Sequence, residues 1–386
     1  MNHGPRSRRQ YLGLLSGGGI LGTAGCLRLS ESADSSPESN GQPSEDFDIQ
    51  FVPAWEMDEH FFRMDTADDD FFLGTLDKFI RRRPNGEIVF DSEVFHDEYF
   101  PTLRAGYQSA ICADASGVYV GGARENDQDG GRVYAIEPET GEQRWMHEEP
   151  ADGLHNEINA IHQTDGLVIA ASMSSGSGSD QEPTVRAFDA ETGEQQWEVN
   201  YSEAFITQIF SVGTQVVVQR TRDYMIHELQ TGDHVGEIGI DSGFRRAQQV
   251  DDVLYIPNGR LTAYSIADGQ QLWSQDGEQA VNTSVGIGSV GVFAGTEDGF
   301  VFGYDLETGD QLWENRTEGA IEHQPVVADG VVWVATQRGD LSGYDEETGA
   351  LVYSEQITPD FHFLISNSIF IDSYHERSQA YEIQGV

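Results

Sequence analysis

Few residues in this chain have types and spacings that suit catalysis or metal binding. Asp127 and Asp129 alternate in the glycine-rich segment ENDQDGG, residues 125–131, as carboxylate ligands do in calcium-binding loops. No bidentate glutamate follows at loop spacing, so this candidate metal site is incomplete. His155 and His162 flank a predicted strand without partners at the spacing of a zinc site. Neither a phosphate-binding loop nor a nucleophile elbow occurs, and we expect no catalytic residue and no bound metal.

The two cysteines have different settings. Cys112 lies in the short apolar run SAICAD, which favours a buried structural thiol over a nucleophile. Cys26 ends the segment TAGC, which resembles the lipobox of exported lipoproteins. Once Cys26 carries a lipid, the chain can form neither an internal disulfide nor a cysteine-based metal site.

Residues 1–25 are predicted to be an export signal and are set apart from the fold. Arg8 and Arg9 in SRRQYL resemble the arginine pair of a twin-arginine signal, and the apolar stretch that follows is too short to span a bilayer. Such signals are cleaved before the lipobox cysteine. Residues 26–46, rich in serine and acid, are predicted to be a disordered tether. The tether would hold a folded domain, residues 47–386, at the outer face of a membrane.

The charge of the chain is strongly negative, with 66 Asp and Glu against 22 Lys and Arg and a formal net charge of −44. The acids are spread along the whole chain. This pattern suits a surface that stays hydrated in molar salt, where charges are screened within about 3 Å, and it indicates a halophile of the haloarchaeal type. An acidic protein with basic partners is the alternative. Nucleic-acid binding is disfavoured because no basic stripe exists.

A phrase typified by GYDLETGDQLW, residues 303–313, recurs along the chain. Each copy has an apolar run, a turn with glycine, and a second run that ends on an aromatic residue. Glycine tolerates the positive φ of such turns, and a flat aromatic ring suits packing between sheets. The repeated residues are therefore predicted to be structural. The turn glycines are Gly86, Gly141, Gly193, Gly232, Gly269, Gly309 and Gly349, and the aromatics are Phe90, Trp145, Trp197, Trp273, Trp313 and Tyr353. One copy has Gly236 at the aromatic position.

Another apolar run precedes each phrase, and these runs are too short for helices and apolar on both faces. Strands enclosed between neighbouring sheets have this pattern, and a period near 40 residues suits about four strands per unit. We predict an all-β, eight-bladed β-propeller of four-stranded antiparallel blades, with seven blades as the alternative. The last unit stops before its outer strand, so FDIQFVPA, residues 47–54, is predicted to close it, since an open ring would expose strand edges.

The phrases resemble the tryptophan-docking repeats of the PQQ-like β-propeller proteins over roughly residues 55–386. Members of that family include quinoprotein alcohol dehydrogenases and non-catalytic envelope proteins, such as the lipoprotein of the bacterial outer-membrane barrel-assembly machine. The dehydrogenases bind PQQ with Ca²⁺ or a lanthanide over an aromatic floor, often beside a Cys–Cys disulfide. This chain has no adjacent cysteine pair, no CxxCH heme motif and no matching ligand motif. No cofactor is therefore expected, and PQQ with Ca²⁺ belongs only to the alternative of a small quinoprotein dehydrogenase.

Long loops are concentrated in the first three units. The inner hairpin loops of units two and three and the link between units one and two exceed those of later units, and in propellers these loop classes emerge on one face. A partner-binding patch is predicted there, although surface loops also tolerate insertion without function. Its aromatic residues are Phe95, Tyr99, Phe100 and Tyr107. Three N-x-S/T triplets begin at possible glycosylation sites, Asn200, Asn282 and Asn315.

Together these features predict an extracytoplasmic, lipid-anchored, non-catalytic propeller that serves as a binding or scaffold module. Its partner would be an envelope protein or a surface glycan, with the membrane reached through the lipid. A quinoprotein dehydrogenase and a glycan-binding surface protein are the alternatives.

Overall fold

The fold is that of a computed structural model, and its described residues all belong to one compact unit, Gly41–Val386. The described ranges are 49–58, 63–67, 70–75, 78–92, 98–99, 110–114, 116–124, 131–149, 156–174, 183–202, 205–239, 247–275, 280–281, 283–321, 323–356, 362–366, 369–374 and 377–385. Over these ranges the chain is all-β. They include no helix with the length and apolarity needed to cross a bilayer.

Eight antiparallel sheets follow one another along the described chain, so the predicted eight-bladed propeller is confirmed. Blade 1 holds β2 (Arg63–Ala67), β3 (Asp70–Gly74), β4 (Phe79–Arg82) and β5 (Ile88–Ser92), and blade 2 holds β7 (Ile111–Asp114), β8 (Gly117–Arg124), β9 (Arg132–Ile136) and β10 (Gln143–Glu148). Blade 3 holds β11 (Asn156–Thr164), β12 (Leu167–Ser174), β13 (Thr184–Asp189) and β14 (Gln195–Asn200), and blade 4 holds β15 (Ile206–Val212), β16 (Gln215–Arg220), β17 (Tyr224–Glu228) and β18 (His234–Ile238).

The remaining blades repeat this order from the inner to the outer strand. Blade 5 holds β19 (Gln248–Val250), β20 (Val253–Asn258), β21 (Arg260–Ser265) and β22 (Gln271–Ser274), and blade 6 holds β23 (Gly286–Ile287), β24 (Gly291–Gly295), β25 (Phe300–Asp305) and β26 (Gln311–Arg316). Blade 7 holds β27 (Val326–Ala328), β28 (Val331–Ala335), β29 (Asp340–Asp345) and β30 (Leu351–Gln356), and blade 8 holds β31 (His362–Ser366), β32 (Ile369–Tyr374), β33 (Arg377–Gln384) and β1 (Gln50–Met57).

Strand β1 is the outer strand of the last blade, as the sequence predicted. It pairs antiparallel with β33, from Gln50 opposite Gln384 to Met57 opposite Ser378. The beginning of the described chain therefore completes the sheet that the end of the chain leaves one strand short. This pairing closes the ring and covers the edge of β33.

The hydrophobic core is divided among the junctions between blades. Strand β28 is buried at every residue, because each of its faces packs on a neighbouring sheet. The buried side chains form eight clusters, each of which joins two consecutive blades, and the cluster of Ile369 and Phe71 joins blade 8 to blade 1. This arrangement explains why the strand sequences are apolar on both faces.

The turns before the outer strands of blades 2 to 7 share one backbone hydrogen bond, in which the turn glycine donates to the carbonyl four residues earlier, and in blades 3, 6 and 7 an aspartate carboxylate accepts further bonds. In blade 6 the Asp305 carboxylate accepts the backbone N–H groups of Glu307 and Thr308 at 2.9 and 2.8 Å, and Gly309 follows with a φ of 73°. These bonds lower the pKa of Asp305. Such Asx turns pre-form the reversal, and the glycine that completes the turn is presented to the preceding blade.

Candidate functional site

The repeated tryptophans dock on the turn glycines of the following blade. A methyl group placed on Gly309 would lie 2.6 Å from the ring of Trp273, and one on Gly349 would lie 2.6 Å from the ring of Trp313. Each indole N–H also donates to a backbone carbonyl in the same turn, at 3.1 Å to Leu306 and 2.9 Å to Glu346. The ring can approach so closely only because the turn residue lacks a side chain.

The same contact recurs at the earlier junctions. Phe90 lies on Gly141, Trp145 on Gly193 and Trp197 on Gly232. Trp145 and Trp197 donate to the carbonyls of Ala190 and Leu229 at 3.0 and 2.8 Å. These rings pack and form hydrogen bonds between blades, so none of them presents a free face to a ligand.

Trp55 performs this docking at the closure of the ring, and the repeat analysis did not identify it. It belongs to β1, far from the repeated phrases, and a methyl group on Gly86 would lie 2.9 Å from its Cβ. Its indole N–H donates to Pro84 O at 3.1 Å. The Arg82 guanidinium lies 4.3 Å from the ring centroid, and burial lowers the pKa of that arginine. The sequence signal was a tryptophan directly after the predicted closing segment, residues 47–54; the observed strand, Gln50–Met57, includes it.

Tyr353 ends the last full repeat but packs differently. The outer strand of blade 8 is β1, and the described part of that blade has no turn of the repeated kind. Tyr353 instead lies against Phe51 of β1 and Trp333, with centroids 5.1 and 5.5 Å apart. Its hydroxyl donates to Glu355. The junction between blades 7 and 8 is thus filled by a group of aromatic rings in edge contact, an arrangement that the ring quadrupoles favour.

Polar groups link the inner strands of blades 1 and 2 and those of blades 3, 4 and 5. The Asp65 carboxylate of blade 1 accepts the N–H of Ala113 in blade 2 at 2.8 Å. His162 of blade 3 lies 2.7 Å from the hydroxyl of Ser211 in blade 4. The Gln249 amide of blade 5 donates to Ser211 O at 2.9 Å. The residues in contact are 48, 49 and 38 positions apart in the chain, and repeat analysis does not reveal such pairs.

The titration of these inner groups does not favour catalysis. Burial and the nearby Asp65 carboxylate raise the pKa of the Cys112 thiol to about 12, so the sulfur is protonated near neutral pH and is a poor nucleophile. Burial lowers the pKa of His162 to about 4, so the ring is neutral. Burial also raises the pKa of Asp65. His162 lies within β11 and Cys112 is partly buried.

The aromatic side chains of the chain also bear on whether a quinone would fit. The sequence has six tryptophans, and all lie among the described residues. Five dock at the rim of the blades, with 7–9% of their surface exposed, and Trp333 is fully buried. In the described part of the chain, no group of three or more His, Cys, Asp or Glu residues could hold a metal ion. The described residues therefore supply neither a tryptophan floor nor a metal cage for PQQ.

The long loops of blades 2 and 3 lie largely outside the described residues, but the strands that lead into them are visible. Strand β6 (Glu98–Tyr99), from the link between blades 1 and 2, pairs with the end of β8, so that Tyr99 lies opposite Ala123. In blade 3 the hairpin of β11 and β12 remains paired out to Asn156 and Ser174. Strand β6 of the link therefore lies beside the end of β8, and β8, β11 and β12, with 8, 9 and 8 residues, are longer than the two inner strands of blades 4 to 7.

Several predicted residues lie outside the described ranges. They are Arg8, Arg9, Cys26, Phe95, Phe100, Tyr107, Asp127, Asp129, His155 and Asn282. Asn200 is exposed at the end of β14, where its amide donates to Glu198 at 3.2 Å. The Asn315 amide donates to Gly349 O at 2.7 Å, so that asparagine takes part in the junction between blades 6 and 7.

Comparison with known proteins points to one family and one fold. The family model described as outer membrane protein assembly factor BamB matches residues 86–254 and 257–373. No curated protein sequence matches the chain significantly. Among solved structures, BamB from Moraxella catarrhalis superposes with a TM-score of 0.64 at 15% identity, over 87% of this chain and 99% of that chain.

Two other solved structures are similarly close. The computationally designed Ika8 protein has a TM-score of 0.64 at 16% identity, over 86% of this chain and 98% of that chain. A quinohemoprotein alcohol dehydrogenase from Pseudomonas putida HK5 has a TM-score of 0.64 at 12% identity, over 90% of this chain and 78% of that chain. At these identities the likeness establishes the fold alone, because the same propeller carries an assembly factor, a designed protein and an enzyme.

Proposed function

The chain belongs to the family described as outer membrane protein assembly factor BamB, and on this premise we propose that it is a non-catalytic binding or scaffold propeller of the cell envelope. The proposal rests on the face of blades 2 and 3 that bears the ends of β6, β8, β11 and β12, called here the long-loop face, where β6 pairs with β8. That face combines extended hairpins with a strand that arrives from the preceding blade. Loops positioned by a rigid scaffold are a common means of recognising partners.

The proposed location follows from the N-terminal sequence. Arg8 and Arg9 direct twin-arginine export, and the chain is cleaved before Cys26, which receives the lipid. Residues 26–46 then hold the propeller away from the outer face of the membrane. The acidic surface keeps the domain soluble in molar salt.

The partner is proposed to be an envelope protein that contacts the long-loop face. The test is crosslinking in whole cells, in which residues 125–130 and 175–182 are each replaced by a tight glycine turn. The hairpin turn of blade 7, Thr336–Gly339, offers a matched control because it is already tight. We expect the crosslinked partner to disappear with the double replacement and to persist when the blade 7 turn is changed. Retention of every crosslink after the double replacement would contradict the proposal.

Titration with PQQ and Ca²⁺ separates a scaffold from a dehydrogenase. The folded protein in molar salt is heated with and without PQQ and Ca²⁺. A ligand at a hundred times its Kd would stabilise the fold by about 2.7 kcal/mol, which is readily measured. We expect no change in Tm, because the described tryptophans are committed to packing. A saturable increase in Tm would favour the dehydrogenase.

A further inference from the structure

Four exposed arginines in the described part of the chain form no ion pair, although the chain has 66 acidic residues for its 22 basic ones. Every other lysine or arginine whose side chain is described contacts a carboxylate, apart from Arg82, which is buried against Trp55. The paired residues are Lys78, Arg81, Arg83, Arg132, Arg144, Arg186 and Arg220. The four exposed arginines without a carboxylate are Arg222, Arg260, Arg316 and Arg338.

These four arginines, called here the arginine arc, lie on consecutive blades and on one side of the ring. Arg222 and Arg338 lie in the hairpins between the second and third strands of blades 4 and 7. Arg260 begins the third strand of blade 5, directly after the same hairpin, and Arg316 lies opposite the first residue of the third strand of blade 6. Because every blade runs in the same order from its inner to its outer strand, these hairpins emerge on the same side of the ring as those of blades 2 and 3.

We propose that the arginine arc binds a segment of a partner polypeptide that carries carboxylates. A guanidinium presents a planar fork of N–H donors, which matches a carboxylate in two parallel hydrogen bonds. Within the described residues the only side-chain contact of the arc is that of Arg316, whose guanidinium lies 5.1 Å from the ring centroid of Phe300. The donors of the arc are therefore available to a partner. This binding goes beyond the proposed function, because it uses blades 4 to 7 and needs neither long loop.

The acids beside the arc favour a polypeptide over a uniform polyanion. Glu297 and Asp298 are exposed in the hairpin of blade 6, between the arginines of blades 5 and 7. A nucleic acid or a sulfated glycan would bring a like charge against them, which costs binding energy. A polypeptide can instead place single carboxylates at the arginines and neutral or basic residues at this hairpin. In molar salt charges are screened within about 3 Å, so the arginines act through direct hydrogen-bonded pairs rather than at a distance.

Carbodiimide coupling tests this contact, because it joins a lysine Nζ to a carboxylate only where the two groups meet. An amide forms, and the water that is lost converts the reagent to its urea. Lys78 is the only lysine of the chain, so a lysine placed in the arc is detected against a low background. The variants are Arg222→Lys, Arg260→Lys, Arg316→Lys and Arg338→Lys. Each full chain is produced and coupled in the cells that make the protein, and the coupled peptides are identified by mass spectrometry.

Gln270→Lys is the matched control on the other side of the ring. Gln270 is exposed in the turn after β21, whereas Arg260 begins that strand. We expect lysines on at least two adjacent blades of the arc to be coupled to Asp or Glu of one and the same polypeptide, with yields at least tenfold above the control. Yields equal to the control, coupling to unrelated proteins at each position, or coupling only to glycan carboxylates would overturn the proposal.

Repeating the coupling in a second chain separates this proposal from the proposed function. In that chain residues 125–130 and 175–182 are replaced by tight glycine turns, as in the test of the long-loop face. We expect the arc to give coupled peptides within twofold of the yield in the unmodified chain. Their loss would contradict binding by the arc alone. Because no arginine of the arc is paired, each lysine variant is also expected to keep the Tm of the unmodified protein, so that a missing product reports lost contact rather than unfolding.

Discussion

The Arg82 guanidinium of blade 1 lies 4.3 Å from the ring centroid of Trp55, a residue of the N-terminal strand. Arg82 also donates to Gly86 O at 3.0 Å and to Glu56 O at 3.3 Å. The contact joins two segments that would otherwise be the free ends of an open ring. A cation placed over an indole face contributes most where water is excluded.

Trp55→Ala is expected to destabilise the protein by about 3 to 5 kcal/mol, because it removes a large buried side chain at the closure. Trp55→Phe retains much of the packing but loses the hydrogen bond from the indole to Pro84 O. The loss of that bond should destabilise the protein by about 1 kcal/mol. Denaturant unfolding at constant salt measures both. Val52→Ala, a change at a partly exposed residue of the same strand, is the control. An unchanged midpoint for Trp55→Ala would show that the closure does not depend on this docking.

Gly309→Ala is expected to be more destabilising than Gly166→Ala. Both glycines have a positive φ, 73° and 75°, so both variants incur about 1 to 2 kcal/mol of backbone strain. A methyl group on Gly166 meets nothing within 4 Å, whereas one on Gly309 lies 2.6 Å from Trp273, which adds about 1 to 3 kcal/mol of overpacking. Paired denaturation curves measure the difference. Equal losses would mean that the ring moves away without cost.

The free energy of unfolding is expected to decrease as the pH is lowered from about 6.5 to 4, because of His162. Burial lowers its pKa from 6.5 to about 4, so in this range the unfolded chain takes up a proton that the folded chain does not. The loss should approach about 3 kcal/mol at the acid end. His162→Gln should remove this component from a pH series of urea unfolding curves. Ser211→Ala, which keeps the histidine buried, should retain it, and a pH slope that His162→Gln leaves unchanged would contradict the assignment.

Cys112 is expected to resist thiol reagents in the folded protein. Because its pKa is raised to about 12, its thiolate fraction at pH 8 is about a thousandfold below that of a thiol with the ordinary pKa of 9.0. A Cys26→Ser chain isolates this thiol for reaction with DTNB. The slow reaction should become fast in denaturant. Rapid labelling without denaturant would show that the inner strands open readily.

Much of the architecture could be predicted from the sequence because the repeat encodes it locally. The phrase ending at Trp313 contains the strand, the turn acid Asp305, the turn glycine Gly309 and the docking ring within eleven residues. Each element follows from local propensity and φ requirements. Seven such units and an incomplete eighth determined the blade number and the need for a closing strand, both of which the structure confirms.

The contacts between segments distant in the chain could not be read in this way. The ring at Gly86 comes from Trp55, which precedes the first repeat, and the contacts of Asp65 with Ala113 and of His162 with Ser211 join inner strands of successive blades. The local sequence does not indicate which residue each of these groups contacts. The docking of Trp55 on Gly86 forms only when the ring closes, and the other two contacts form only when neighbouring blades pack.

The sequence by itself determined the propeller, its repeats, its closing strand and the absence of an aromatic ring at Gly236, because these depend on residue types at a fixed period. Only the tertiary structure decided what that absence leaves behind. It shows that Gly269 keeps its turn, that Tyr264 stays partly exposed and that the five rim tryptophans dock at the other junctions. The physical reason is that a docking site is shared between two blades, so neither blade's sequence describes it alone.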